Sequence, residues 1–310
     1  MTRRNRIGLG LAMAAAALAG AGAGAATTRP AITGISHIAV YSADAAASER
    51  FYTTILGAQK KPDPENPQGT RYYFSPRQFV EVLPLPADHG LSRLDHIGYV
   101  TADAAGLRAY LAGRGLSGLS EVKTGNDGSR WFAARDPEGN KVEFVQPASN
   151  DAAAVPGAIS GRVIHVGFMV RSRATEDKFY RELLGFRPYW YGAMKEGATD
   201  WVSQQVPDGH DWLEYMLVGP GTTTPLDKVD ANQLGVLNHL SLGVQNMEAA
   251  VTTLTAGDRL SPRHDGPSMG KDGKWQANLY DPDGTRVELM EFQPVMKPCC
   301  SAFTAESPTH

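Results

Sequence analysis

Ile35-Ser36-His37-Ile38-Ala39-Val40 is an apolar strand broken by one imidazole, and the chain repeats it three times. Leu-Asp-His-Ile-Gly-Tyr occupies 94–99, Val-Ile-His-Val-Gly-Phe 163–168 and Leu-Asn-His-Leu-Ser-Leu 237–242. Each is followed 44 to 49 residues later by a strand-like segment carrying a glutamate: Phe-Val-Glu-Val-Leu at 79–83, Val-Glu-Phe-Val at 142–145, Leu-Glu-Tyr-Met at 213–216 and Val-Glu-Leu-Met at 287–290. The pairs are His37/Glu81, His96/Glu143, His165/Glu214 and His239/Glu288. Taken singly, a strand histidine is a satisfied core group and a strand glutamate faces solvent. A buried carboxylate in such a setting needs a partner. Four of the eight histidines fall at one point of a repeat, each with its glutamate, and that regularity points to metal ligands.

Working outward, the helix after Asp44 carries Phe51, Tyr52, Ile55 and Leu56, with Gly57 where a left-handed cap ends it. The third repeat does the same with Phe179, Tyr180, Leu183, Leu184 and Gly185. Asp136-Pro137-Glu138-Gly139 and Asp281-Pro282-Asp283-Gly284 read as tight turns that lead into the strands of Glu143 and Glu288. Each quarter is therefore a strand, a helix and several strands. Two quarters make each half, over 33–148 and 159–295, and the small polar stretch 149–158 is the linker.

Residues 1–26 combine Arg3, Arg4 and Arg6 with an Ala/Leu/Gly stretch and Ala-Gly-Ala at 23–25. This reads as an export signal cleaved near Ala25, which predicts a periplasmic or secreted protein without a lasting membrane anchor. Cys299 and Cys300 are the only cysteines, and adjacent residues lie below the usual disulfide span, so 296–310 reads as a disordered tail. A net charge of −3 gives no basic footprint for nucleic acid, which leaves a small-molecule substrate and a monomer or homodimer as the expectation.

The pattern over 33–295 resembles the vicinal oxygen chelate superfamily, which includes glyoxalase I, extradiol dioxygenases and bleomycin-resistance proteins. The resemblance implies an α+β fold of tandem βαβββ modules, four in two domains, curling into incomplete barrels. It implies metal ligands at His37, Glu81, His96, Glu143, His165, Glu214, His239 and Glu288. In-order pairing of modules makes quartets His37/Glu81/His96/Glu143 and His165/Glu214/His239/Glu288, whereas exchange between halves recombines the same residues.

Two imidazoles and two carboxylates leave two adjacent positions on a six-coordinate divalent ion, and Zn, Ni, Co, Mn and Fe(II) all accept that set. Glu214 and Glu288 are the candidate bases. The first function implied is a glyoxalase-like lyase or isomerase on a small substrate with vicinal oxygens. Tyr41 and Met169 stand where an arginine for glutathione is expected, so glutathione is not the cosubstrate. The alternatives are an extradiol-type dioxygenase using His165, His239 and Glu288, and a ligand-binding protein lined by Tyr189, Trp190, Tyr191, Trp201 and Trp212. Tyr280 and His264 are candidate neighbours of the dioxygenase centre. The second half is expected to be the active one, under a lid formed by 219–235.

Overall fold

The computed structural model describes Met1, residues 28–151 and residues 153–309. The expected export signal lies outside the described residues apart from Met1. No described helix is long and apolar enough to cross a membrane.

The first half runs β1 (Ile32–Ser42), α1 (Ala45–Glu49), β2 (Gln59–Pro62), β3 (Thr70–Ser75), β4 (Gln78–Pro84), β5 (Leu94–Thr101), α2 (Ala104–Gly113), β6 (Lys123–Thr124), β7 (Arg130–Arg135) and β8 (Lys141–Gln146). The second half repeats it: β9 (Val163–Val170), α3 (Arg173–Asp177), β10 (Arg187–Gly192), β11 (Trp201–Gln205), β12 (Trp212–Leu217), α4 (Ala231–Leu237), β13 (His239–Val244), α5 (Met247–Ala256), β14 (His264–Met269), β15 (Trp275–Tyr280) and β16 (Arg286–Glu291). Each half is one eight-stranded sheet, ordered β2-β3-β4-β1-β5-β8-β7-β6 and β10-β11-β12-β9-β13-β16-β15-β14. Modules therefore pair in order. Within a module the first and last strands run parallel, and the two first strands meet antiparallel at the seam, β1 on β5 and β13 on β9.

The helix after Asp44 forms as its cap predicts, with the Asp44 carboxylate accepting from Ala47 N at 2.9 Å. It then widens into a π-helical stretch, Arg50–Ile55, closed by Leu56 N to Phe51 O at 3.1 Å, and ends at Gly57 with φ 76°. The third module repeats the widening over Lys178–Leu183. The wider turn was invisible in the apolar spacing. It seats Tyr52 and Tyr180 fully buried in one core cluster that runs through both domains.

The halves interlock by a repeated set of polar contacts. Gln78 of β4 reaches the main chain of Val163 with two bonds, donating at 2.8 Å and accepting at 3.0 Å. Its counterpart Asp211, just before β12, accepts from Ile35 N at 3.1 Å. Glu138 of the first Asp-Pro turn accepts from Ser172 N at 2.7 Å at the start of α3, and Asp283 of the second accepts from Ala43 N at 3.1 Å near the start of α1. The expected linker is pinned to the first domain through Val155 N to Phe74 O and Ile159 N to Leu56 O, both 2.9 Å.

The tail departs from expectation. Cys299 and Cys300 are joined to each other with their Cα atoms 3.8 Å apart. Thr304 N donates to Tyr189 O at 3.0 Å, Trp190 Nε1 to Cys299 O at 3.2 Å and Gln205 to Glu306 O at 2.7 Å, while Phe303 packs on Tyr189. A Ser/Thr/Pro-rich segment is held here because the second domain offers it backbone partners and an aromatic surface.

Candidate metal centres

The four central strands of each sheet deliver the predicted residues to one place. In the first domain His37 comes from β1, Glu81 from β4, His96 from β5 and Glu143 from β8. His37 Nε2 and His96 Nε2 are 2.8 Å apart, and Glu81 Oε2 and Glu143 Oε2 lie 3.5 and 3.3 Å from His96 Nε2. In the second, His165 Nε2 lies 3.0 Å from His239 Nε2 and 3.2 Å from Glu288 Oε2, and Glu214 Oε2 is 3.6 Å from His239 Nε2. Both quartets assemble as in-order pairing requires.

Glycines make the convergence possible. A Cβ at Gly98, opposite His37 in the seam, would stand 2.1 Å from the His37 ring. One at Gly167 would stand 2.1 Å from the His239 ring. The Ile-Gly-Tyr and Val-Gly-Phe motifs thus leave room for the neighbouring module's imidazole.

In each quartet a triad has all its donor atoms within 4.8 Å of one another, His37, Glu81 and His96 in the first and His165, His239 and Glu288 in the second, and Glu143 lies as near His96 as Glu81 does. The set fits a divalent cation. Two buried carboxylate oxygens of the first cluster, Glu81 Oε2 and Glu143 Oε2, have no hydrogen-bond partner, and in the second the Nε2 atoms of His165 and His239 face each other at 3.0 Å. Carboxylates and neutral imidazoles so placed leave their lone pairs uncompensated unless a cation or proton lies among them.

Orientation comes from a surrounding layer. Asp95 Oδ2 holds His96 Nδ1 at 2.5 Å, and Tyr41 donates to the other oxygen of Asp95. His239 donates Nδ1–H to Leu237 O at 3.0 Å, which leaves its Nε2 lone pair facing the cluster. Burial pulls the His96 ring down, but Glu143 and Asp95 outweigh it and lift the pKa to about 10, so without a cation His96 holds a proton between the carboxylates. His37 is pushed well below the usual range by burial and by His96. In the second cluster burial holds both imidazoles down, and His165 is neutral as it meets Glu288. Burial and the Glu288 charge lift Glu214 to about 8.

Some neighbours were missed in the sequence. Lys141 Nζ lies 2.9 Å from Glu143 Oε1, and Arg286 Nη1 lies 3.9 Å from Glu288 Oε1. Each cation stands two residues before its glutamate, on the same strand face, a spacing that could have been read. An arene lies two residues before each of the other glutamates. Phe79 stacks on His37 at 4.5 Å and Trp212 lies 4.6 Å from His165. A cation covers each arene, Arg71 over Phe79 at 4.4 Å and Lys274 over Trp212 at 4.7 Å.

The surroundings of the two clusters differ. The first opens into a cavity of about 400 Å³ lined by Tyr41, Glu65, Asn66, Lys123 and Lys141. The second meets one of only about 80 Å³, walled by Trp190, Trp201, Trp212, Arg286 and Phe303. No residue of 219–235 lines that cavity; its Thr223 is tied instead to Asp200 by two bonds of 2.6 and 2.8 Å, so the expected lid is not there and Phe303 of the tail takes the place. His264 is exposed and bonds Ser261 O, and Tyr280 donates to Asp265 at 2.8 Å, so neither belongs to the cluster. Of the third-module aromatics, Tyr189, Trp190, Trp201 and Trp212 line the second cavity, whereas Tyr191 is exposed.

The chain matches the Glyoxalase/Bleomycin resistance protein/Dioxygenase superfamily twice, over residues 34–144 and 164–273. It belongs to that superfamily. Its two vicinal oxygen chelate domains match extradiol enzymes in fold. A variant of homoprotocatechuate 2,3-dioxygenase from Brevibacterium fuscum aligns with a TM-score of 0.61 at 17% identity, covering 84% of this chain and 72% of that one. The 2,3-dioxygenase LapB from Pseudomonas sp. KL28 aligns at 0.60 and 17%, covering 87% and 97%. In sequence, Metapyrocatechase 2 of Cupriavidus necator is 26% identical over 190 residues, 52% of this chain and 55% of that protein. The match thus spans about half the length of the curated relative.

Proposed function

We propose that the second domain houses an extradiol-type ring-cleaving dioxygenase centre that takes a small catechol. The observation that carries this is the meeting of His165, His239 and Glu288 from β9, β13 and β16, with Glu214 standing off on the fourth strand. The likeness to Metapyrocatechase 2 supports it better than a glyoxalase-like reaction. Glu214 leaves the triad open, because its Oε2 is 3.6 Å from His239 Nε2 and its other oxygen accepts from Ser203 at 3.3 Å.

Two imidazoles and one carboxylate are the donor set of non-haem iron(II) oxygenases, and iron bound there would supply a Lewis acid for the catechol oxygens and the redox chemistry with dioxygen. Both oxygen atoms enter the product: the ring bond beside a hydroxyl-bearing carbon breaks, and the cut ends become a carboxylic acid and an aldehyde. The chain handles protons and orientation. Glu214, standing beside the three ligands with one oxygen accepting from Ser203, takes a hydroxyl proton from the substrate and returns it to the opening ring. Trp190, Trp201 and Trp212 offer flat apolar walls to an aromatic ring. An 80 Å³ space is below an ordinary ligand pocket, so Phe303 has to move aside for entry.

The test is oxygen uptake with catechol after anaerobic Fe(II) loading, with iron per chain measured alongside. Oxygen consumption with appearance of a ring-opened product is expected. Full iron loading without oxygen uptake on catechol or its 3- and 4-substituted forms would end this reading.

One observation favours a second activity. The first cluster opens into the larger and more polar cavity. A metal-dependent lyase or isomerase reaction on a polar substrate with vicinal oxygens fits that domain, with Glu81 or Glu143 as the proton carrier. Its loss in Glu81→Gln, with oxygen uptake retained, is the expected signature.

A further inference from the structure

A cavity of about 760 Å³ lies between the domains and away from both clusters. Its walls come from Thr33–Ile35 of β1, Ser75 to Gln78, the 154–162 segment and one face of α5. The volume is that of an ordinary small-molecule pocket.

Its charge is one-sided. Three arginines line it, and only Arg162 is matched, by two bonds of 3.1 and 2.7 Å to Asp211. Arg77 has one long contact, donating to Thr33 Oγ1 at 3.4 Å. Arg259 spends Nε–H on Ile55 O at 2.9 Å, and its Nη2 is buried with no partner. Neither Arg77 nor Arg259 makes an ion pair among the described residues. Ser75, only 1% exposed, has its Oγ unpartnered in the same wall. The unmet groups include two guanidinium donors and a hydroxyl, a set that suits an anion. Between them lie Ile159, Val244, Ala250 and Phe292, which suit an apolar body.

We propose that this cavity is a binding site for a small organic anion, a carboxylate carried on an apolar body, seated between the domains on Arg77, Arg259 and Ser75. A ligand there touches β1, β4 and α5 together and so ties the halves. It approaches Asp211, three residues before Glu214, without entering either cluster. The assignment stands apart from the ring-cleavage reading.

Calorimetric titration of the purified chain with 4-phenylbutyrate is the test, with 4-phenylbutyramide as the neutral control. One saturable site per chain is expected, with binding of the amide and binding to Arg77→Gln/Arg259→Gln each weaker by about tenfold or more. Ala249→Trp, on the exposed face of α5 that borders the cavity, should block the site without touching the core. Binding should persist after metal removal and in His165→Ala. Absence of saturable binding, equal binding of the amide, full affinity in both variants, or loss of binding on chelation would each overturn the proposal.

Discussion

The Tyr52 hydroxyl donates to Asp281 Oδ2 at 3.0 Å across 229 residues of chain, and its repeat counterpart Tyr180 donates to Asp136 Oδ2 at 3.4 Å. Each aromatic from a helix of one domain thus reaches the Asp-Pro turn of the other. Those turns precede the strands of Glu288 and Glu143, so the interdomain contact also fixes where two candidate ligands emerge. Both hydroxyls are buried with full loss of hydration, so removing one leaves the carboxylate short of a donor. Tyr52→Phe is expected to cost about 1 to 2 kcal/mol in urea unfolding. Asp281→Ala should cost more, because Oδ1 also accepts from Thr285 N at 2.8 Å and Asp283 N at 3.0 Å. Tyr180→Phe should cost less than Tyr52→Phe, in keeping with its longer bond.

The second cluster separates holding a cation from moving a proton. Glu288 meets His165 at 3.2 Å, whereas Glu214 stands 3.6 Å from His239. Glu288→Ala is therefore expected to lose the metal of that domain, read by elemental analysis. Glu214→Gln should retain it while oxygen uptake with catechol falls about 10²-fold or more. Equal metal loss in both variants would make Glu214 a fourth ligand.

The ligand quartets were legible because each residue recurs at one position of a repeat, and a strand's period of two carries it to the same face. Gly98 and Gly167 were legible in the same motifs, although their reason, room for an imidazole, needed the seam. The cations over Phe79 and Trp212 were not legible. Arg71 comes from β3 opposite Glu81, while Lys274 comes from the turn before β15, so the two positions are not equivalent in the repeat. The ordered tail was also hidden, since only Phe303 among its residues 299–307 carries a large apolar side chain, and its hold on β10 runs through one main-chain bond and the hydroxyls of Ser301, Thr304 and Ser307, which carry no periodicity.

Phe303 covers the second cavity and packs 4.8 Å from Tyr189. Phe303→Ala opens that space while leaving the backbone bonds of the tail in place. If the tail gates entry, KM for catechol should fall in this variant with kcat little changed, and metal content should stay constant. A fall in kcat with KM unchanged would mean that the ring positions the substrate instead.

Lys274 offers a test by pH. Its side chain is wholly buried among Tyr189, Trp212 and Phe303, with one long bond to the Tyr189 hydroxyl at 3.4 Å. Burial pulls its pKa down to about 8, against the opposing pull of Asp272, Glu288 and Glu214. A base whose folded pKa is depressed binds fewer protons when folded, so stability rises with pH between the folded and unfolded values. The penalty is fully present below pH 8 and fades towards pH 10.5. From pH 7.5 to 9.5 the gain in unfolding free energy from this group is about 2 kcal/mol. Urea unfolding of chelator-treated protein should show that rise as the difference between wild type and Lys274→Met, because His96, lifted to about 10, and Glu214, lifted to about 8, lose stability over the same range in both proteins; the variant should be the more stable at pH 7.5. The window stops below pH 10 because Tyr52 and Tyr180, held neutral by burial, oppose further gain once their unfolded counterparts ionise. A wild-type profile parallel to that of Lys274→Met would mean that the ammonium is solvated, and with it that the tail does not seal the aromatic cage over the second centre.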